Sequence, residues 1–106
     1  MASIYYDPEK FGAEIIDTID TLGGYEFCML AVFKRLEDGA LFFGTDAGCS
    51  CHSPFEDSTW ESMEEIRNAS WFAGQARKWL RDATDADADD RDAVERLIRK
   101  VRKLRP

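Results

Sequence analysis

A chain of 106 residues with 44% hydrophobic and 12% aromatic residues carries enough apolar material for one packed core, which excludes wholesale disorder. Its net charge of −7 is the wrong sign for a protein that wraps a polyanion. Three cysteines are too few, and odd in number, for a disulfide framework.

The start, Met1 to Asp7, has no basic region and no apolar stretch, so no signal peptide is expected. The longest apolar run, Phe27 to Phe33, is far too short to cross a bilayer. The expectation is a cytoplasmic protein with free or metal-bound thiols and no membrane partner. Charge is unevenly spread: residues 1–65 hold 14 acids against 3 bases, and residues 66–106 hold 7 acids against 11 bases.

Asp7-Pro8-Glu9 reads as a helix-type turn, with Asp as cap and Pro at the first position. Beyond it two readings compete. Phe11, Ile15, Ile19 and Leu22 keep helical spacing up to Gly23-Gly24. The β-branched cluster Ile15, Ile16, Thr18, Ile19 and Thr21, together with Gly12, favours a strand at about 12–20. That strand would place Ala13, Ile15 and Ile19 on one face, with Asp17 a misfit.

Residues 25–36 form the clearest strand. Phe27, Met29, Ala31 and Phe33 point one way and Cys28, Leu30 and Val32 the other, which predicts a central strand covered on both faces. Glu37-Asp38-Gly39 is a hairpin turn, and the chain returns as a strand over about 40–46. Asp46-Ala47-Gly48 then breaks the pattern and leads into Cys49-Ser50-Cys51-His52-Ser53-Pro54-Phe55-Glu56.

Ser58-Thr59-Trp60-Glu61 reads as a capping box, so a helix is expected over about 59–68 with Trp60, Met63 and Ile66 as its apolar side. Ser70 caps a second expected helix at 71–83, striped by Phe72, Ala76, Trp79, Leu80 and Ala83. The acidic linker Asp85 to Asp90 suits the start of a third at 90–104, where Val94, Leu97, Ile98, Val101 and Leu104 are apolar and Arg96, Arg99, Lys100, Arg102, Lys103 and Arg105 fill the rest. The fold class is therefore α+β: an antiparallel meander of about three strands followed by three helices. It is read as a single domain, with residues 1–50 forming the sheet, 51–58 a Cys/His/Pro loop and 59–106 the helical part with a basic final helix.

At Tyr25-Glu26-Phe27, the turn Asp38-Gly39, and the run from Asp46 to Glu56, the chain resembles a family of small proteins from phages of actinobacteria. That family reads Tyr-Glu-Phe-Asp on the central strand and Asp-Ser-Gly-Cys-Ser-Cys-Pro-Ser-Pro-Phe-Glu after the hairpin. The resemblance covers about residues 7–60. Cys28 stands where the family has an Asp, and His52 where it has a Pro, so a function common to the family does not depend on either. The resemblance implies a source, and not a mechanism.

Three chemistries compete at the cysteine segment. Cys28, Cys49, Cys51 and His52 are a possible thiolate-rich ligand set for zinc, although one intervening residue between Cys49 and Cys51 is tighter than structural zinc sites use. Thiol catalysis is disfavoured, because the surrounding carboxylates raise a thiol pKa and His52 is a sequence neighbour on an extended segment. The plainest reading is a structural clasp: Gly48 and Pro54 set the backbone, Cys49 and Cys51 pack beneath it and Phe55 anchors it.

The expected function is a small non-enzymatic binding protein without a cofactor, monomeric or homodimeric, with a host protein as partner. Takeover or counter-defence are the roles that the phage resemblance implies. The expected contact residues are Asp46, His52, Glu56, Asp57 and Trp60. Zinc binding is the alternative. Nucleic-acid binding through the basic final helix, and nucleic-acid mimicry by the acidic body, are weaker ones.

Overall fold

The computed structural model describes residues 3–49 and 53–105. It is α+β: four antiparallel strands in the order β1-β2-β3-β4, followed by two helices. The elements are β1 (Ala13–Asp20), β2 (Glu26–Arg35), β3 (Leu41–Cys49), β4 (Glu64–Ile66), α1 (Ala69–Asp82) and α2 (Ala88–Leu104). Short 3-10 turns cover Pro8–Phe11 and Trp60–Ser62.

Strand β2 is the centre. Its side chains from Phe27 to Phe33 are all buried, and they alternate between two separate cores. On one face Leu30 and Val32, joined by Leu41 and Phe43 of β3, pack against Phe72 and Ala76 of α1 and Val94, Leu97, Ile98 and Val101 of α2. On the other face Phe27, Met29, Ala31 and Phe33 pack with Phe42 beneath Ile4, Phe55 and Met63. One face of the sheet is thus covered by helices and the other by irregular chain. Each fully buried Leu, Ile or Val contributes about 1.5–3 kcal/mol relative to exposure, so both layers matter to stability.

The expected strand at 12–20 is present, but its facing differs. Ile15 pairs with Phe33 and Asp17 with Val32, so Ile16 is an extra residue in β1. This β-bulge switches the alternation. Ala13 and Ile15 belong to the face without helices, whereas Ile16 and Ile19 pack towards the helices. Asp17 is no longer a misfit: its Oδ2 meets Lys100 Nζ of α2 at 3.1 Å.

The expected helix at 59–68 does not form, and this is the main correction. Met63 and Ile66 are three apart, which suits one helical face; three is also an odd number, which in a strand means opposite faces. The chain takes the second option, with Met63 in the core under the loops and Ile66 in the core under the helices. Pairing of Leu41, Phe42 and Phe43 with Ile66, Glu65 and Glu64 makes this segment β4. The cap there is Thr59, not Ser58: its Oγ1 accepts from Ser62 N–H, and Ser62 Oγ accepts from Thr59 N–H. The helices therefore number two, against three expected. They begin at Asn68 and Asp87 caps, slightly earlier than the expected starts, and Ser70 does not serve as cap. Asp46-Ala47-Gly48 extends β3 where a break was expected.

Two polar contacts, three hydrogen bonds in all, tie the helices to each other and to the sheet. Arg77 of α1 donates twice to the Glu95 carboxylate of α2, at 3.0 and 2.8 Å, and holds that carboxyl below its ordinary pKa. The Thr21 hydroxyl, at the end of β1, donates to the Thr84 carbonyl between the helices at 2.7 Å.

Candidate functional site

Of the described residues singled out from sequence, Cys28, Asp46 and Cys49 lie on β2 and β3 towards the end of β3, whereas Trp60 packs on Phe42 near the start of β3. Ser50, Cys51 and His52 lie outside the described residues, so the structure places neither half of the expected metal set's Cys51-His52 pair. Cys49 is exposed and disulfide-bonded. Cys28 is a free thiol, 8% exposed. Cys28 pairs across the sheet with Ala47 and Glu26 with Cys49, which puts the two sulfurs' residues on one face, on adjacent strands. Among the described residues no group of three His, Cys, Asp or Glu side chains is placed to hold a metal ion.

Asp46, one of the expected contact residues, is half-buried and anchors the following loop. Its Oδ2 accepts the Phe55 N–H at 2.7 Å and its Oδ1 accepts the Ala47 N–H at 2.9 Å. Phe55 sits at φ 59°, in the left-handed region that bulky residues avoid. Its ring is 1% exposed and stands edge-on to Phe33, with centroids 5.7 Å apart. Two turns, from Glu56 N–H to Ser53 O and from Ser58 N–H to Phe55 O, fold the chain around this plug. Beneath it lies Gly44, where a Cβ would approach Met63 Cγ to 3.1 Å and Phe55 Cε1 to 3.2 Å.

Trp60 is half-buried. It packs on Phe42 with centroids 5.0 Å apart, and the Arg35 guanidinium lies 4.8 Å from the Phe42 ring centre and 5.8 Å from that of Trp60. Arg35 is also paired with both oxygens of Asp38, which pulls the Asp38 carboxyl down to about 2. Of the described members of the expected contact set, Asp57 is exposed and Asp46, Glu56 and Trp60 are half-buried; His52 lies outside the described residues. Asp57 is exposed and borders a depression of about 280 Å³ with Thr45 and Ser62.

Glu56 faces a larger opening of about 430 Å³ that sequence reasoning did not find. Its walls are Tyr5 and Tyr6 from the amino-terminal turn and Tyr25 from the start of β2, with Asp20 and Glu26 among the acids beside Glu56. Gly23 and Gly24, both at φ 74°, carry the chain sharply from β1 to β2 and leave Tyr25 standing 86% exposed. Tyr6 is 59% exposed. The available signal was one tyrosine directly after Gly23-Gly24 and two shortly before the Pro8 turn. Tyr25 was read as the start of a strand and as part of the family resemblance, and Tyr5 and Tyr6 carried no site reading.

On α2, Arg96, Arg99, Arg102 and Lys103 are exposed, while Lys100 is engaged with Asp17. Among the described residues, no helix is long and apolar enough to cross a membrane. No curated protein and no solved structure matches the chain. The profile of the family described as "Domain of unknown function (DUF7574)" matches residues 2–104, nearly the whole chain, and the protein therefore belongs to that family.

Proposed function

We propose that this is a small non-enzymatic binding protein whose partner is a basic surface of another protein. The observation that carries the reading is the cover on the sheet face away from the helices. Residues 53–65 bury Phe55 and Met63 as anchors, yet they turn outward Asp57 and Glu61, and that stretch contains no base. An acid-rich surface of this kind speeds and orients encounter with an oppositely charged partner. The resemblance to actinobacterial phage proteins supports a host protein as that partner, and an accessory role in takeover or counter-defence.

The test is affinity capture from an actinobacterial host lysate, with wild type beside an Asp57→Lys/Glu61→Lys variant, followed by reconstitution with the purified partner. The reading expects one partner that binds the wild type directly, binds the variant at least tenfold more weakly, and is released as salt shortens the Debye length below about 10 Å. Equal binding of the variant, or a partner whose affinity ignores salt, would count against it.

A further inference from the structure

The opening walled by Tyr5, Tyr6 and Tyr25 has a chemistry more specific than negative charge. Its volume, about 430 Å³, lies in the range of small-ligand clefts. Three tyrosines and the acids Asp20 and Glu56 line it, with Glu26 at its edge on β2, and among the described residues no Lys, Arg or His does. The Glu56 carboxylate makes no hydrogen bond or ion pair within the described residues. Asp20 is different: its Oδ1 accepts from the amides of Leu22 and Cys28, at 3.1 and 3.0 Å, which fixes the acid at the rim and leaves Oδ2 without a bond. Tyr5 is held from behind, its ring 5.1 Å from Tyr6 and 6.2 Å from the buried Phe55. The wall at Tyr5 is thus attached to the plug of the loop, whereas Tyr25, directly after the Gly23-Gly24 turn, is 86% exposed.

A planar cation fits this arrangement. Guanidinium stacks on aromatic faces through their negative π-clouds, and its edge donates pairs of hydrogen bonds to carboxylates. An ammonium is a more strongly hydrated point charge and uses only part of such a site. We infer that this cleft takes an arginine side chain from a basic segment of the partner protein. The inference rests on the binding-protein reading and names what one part of that surface recognises.

The probe is a capped Gly-Arg-Gly-Arg-Gly peptide titrated into the isotope-labelled protein and followed by amide chemical shifts. Shifts centred on Gly23, Gly24 and Glu26 are expected, with weaker binding of the lysine peptide and none of the uncharged citrulline peptide. Tyr25→Ala removes an exposed ring without touching the core, and Glu56→Gln removes charge with its shape retained. Each should weaken the arginine peptide by about three- to tenfold. Shifts concentrated on the acidic Asp85 to Asp90 linker, equal affinity for lysine or citrulline peptides, or spermidine bound as tightly as the peptide would overturn the inference. A captured partner that tolerates Tyr25→Ala but is lost on Asp57→Lys/Glu61→Lys would leave the binding-protein reading intact and remove this one.

Discussion

The Asp46 carboxylate accepts the amide hydrogen of Phe55 at 2.7 Å, and that bond holds a phenylalanine in the left-handed backbone region. A non-glycine residue in such a conformation costs of order 1–3 kcal/mol and persists only where its surroundings over-determine it. Here the charged acceptor supplies one constraint and the socket formed with Phe33 another. Asp46→Ala is expected to cost about 1–3 kcal/mol, since it leaves the amide without its acceptor, and Asp46→Asn clearly less, because an amide oxygen still accepts. Denaturant unfolding of the two variants checks the order. An alanine variant as stable as wild type would show that the socket alone fixes the loop.

Gly44 tests the same plug from below. A methyl group there approaches Met63 and Phe55 to 3.1 and 3.2 Å, tighter than ordinary contact. Met63 has a flexible side chain and can yield, whereas the Phe55 ring is boxed in. Gly44→Ala should therefore destabilise by about 1–3 kcal/mol. In a double-mutant cycle with Met63→Ala the losses should fall short of additivity. Additive losses would mean that the glycine is kept for another reason.

In the helical layer, Leu97 is fully buried while Leu104 is 50% exposed, although both continue the same heptad-like spacing. Leu97→Ala should cost about 2–5 kcal/mol, and Leu104→Ala within about 0.5 kcal/mol of nothing. Thermal and denaturant melts separate the two. A large loss at Leu104 measured only at high protein concentration would point to self-association through the end of α2.

Acid sensitivity has a defined source at the hairpin. The Arg35 guanidinium, with the Ala40 amide, lowers the Asp38 carboxyl from 3.8 to about 2. A depressed carboxyl stabilises the fold above its unfolded pKa, and that contribution is lost as pH falls from about 4 through 2. Replacing Asp38 with Asn should lower the neutral plateau modestly, with little change below about pH 2, and so flatten the acid limb of stability in that window. A pH series of urea midpoints reads this directly.

The cysteines should differ in reactivity. Cys28, 8% exposed, should resist iodoacetamide in the native protein and react on unfolding. Cys49, exposed yet disulfide-bonded, should stay unmodified in both states until a reductant is added. Peptide mapping by mass spectrometry distinguishes them. Alkylation of Cys49 without reductant would show that the bond is absent in solution.

Much of the architecture was legible because it rests on periodicity. The double-sided run from Phe27 to Phe33 announced a strand covered on both faces, and Val94, Leu97 and Val101 announced the buried side of α2. What failed, failed for a physical reason. Met63 and Ile66 obey helical and strand spacing alike, and only pairing with Leu41 to Phe43, distant in sequence, decides between them. The Ile16 bulge is likewise invisible until a partner strand supplies the register. At the site, Asp46 was named as a contact residue, and its bond to an amide nine residues on is a role that spacing alone does not reveal. The tyrosine cleft was missed because Tyr5, Tyr6 and Tyr25 converge only after β1 and β2 have paired.

Being apolar on both faces has a further consequence for β2. In most sheets a slip of one residue is forbidden because it would drag polar side chains into the core. Here a slip would exchange Phe27, Met29 and Phe33 for Cys28, Leu30 and Val32, greasy on either side, and polarity would raise no objection. Alignment of the strand must therefore be enforced at its ends. The Asp20 carboxylate grips the Cys28 amide at one end, and the Arg35–Asp38 fork closes the hairpin at the other. These two small clamps are the proofreading of the fold, and loosening both should favour misaligned, aggregation-prone sheets before it melts any helix.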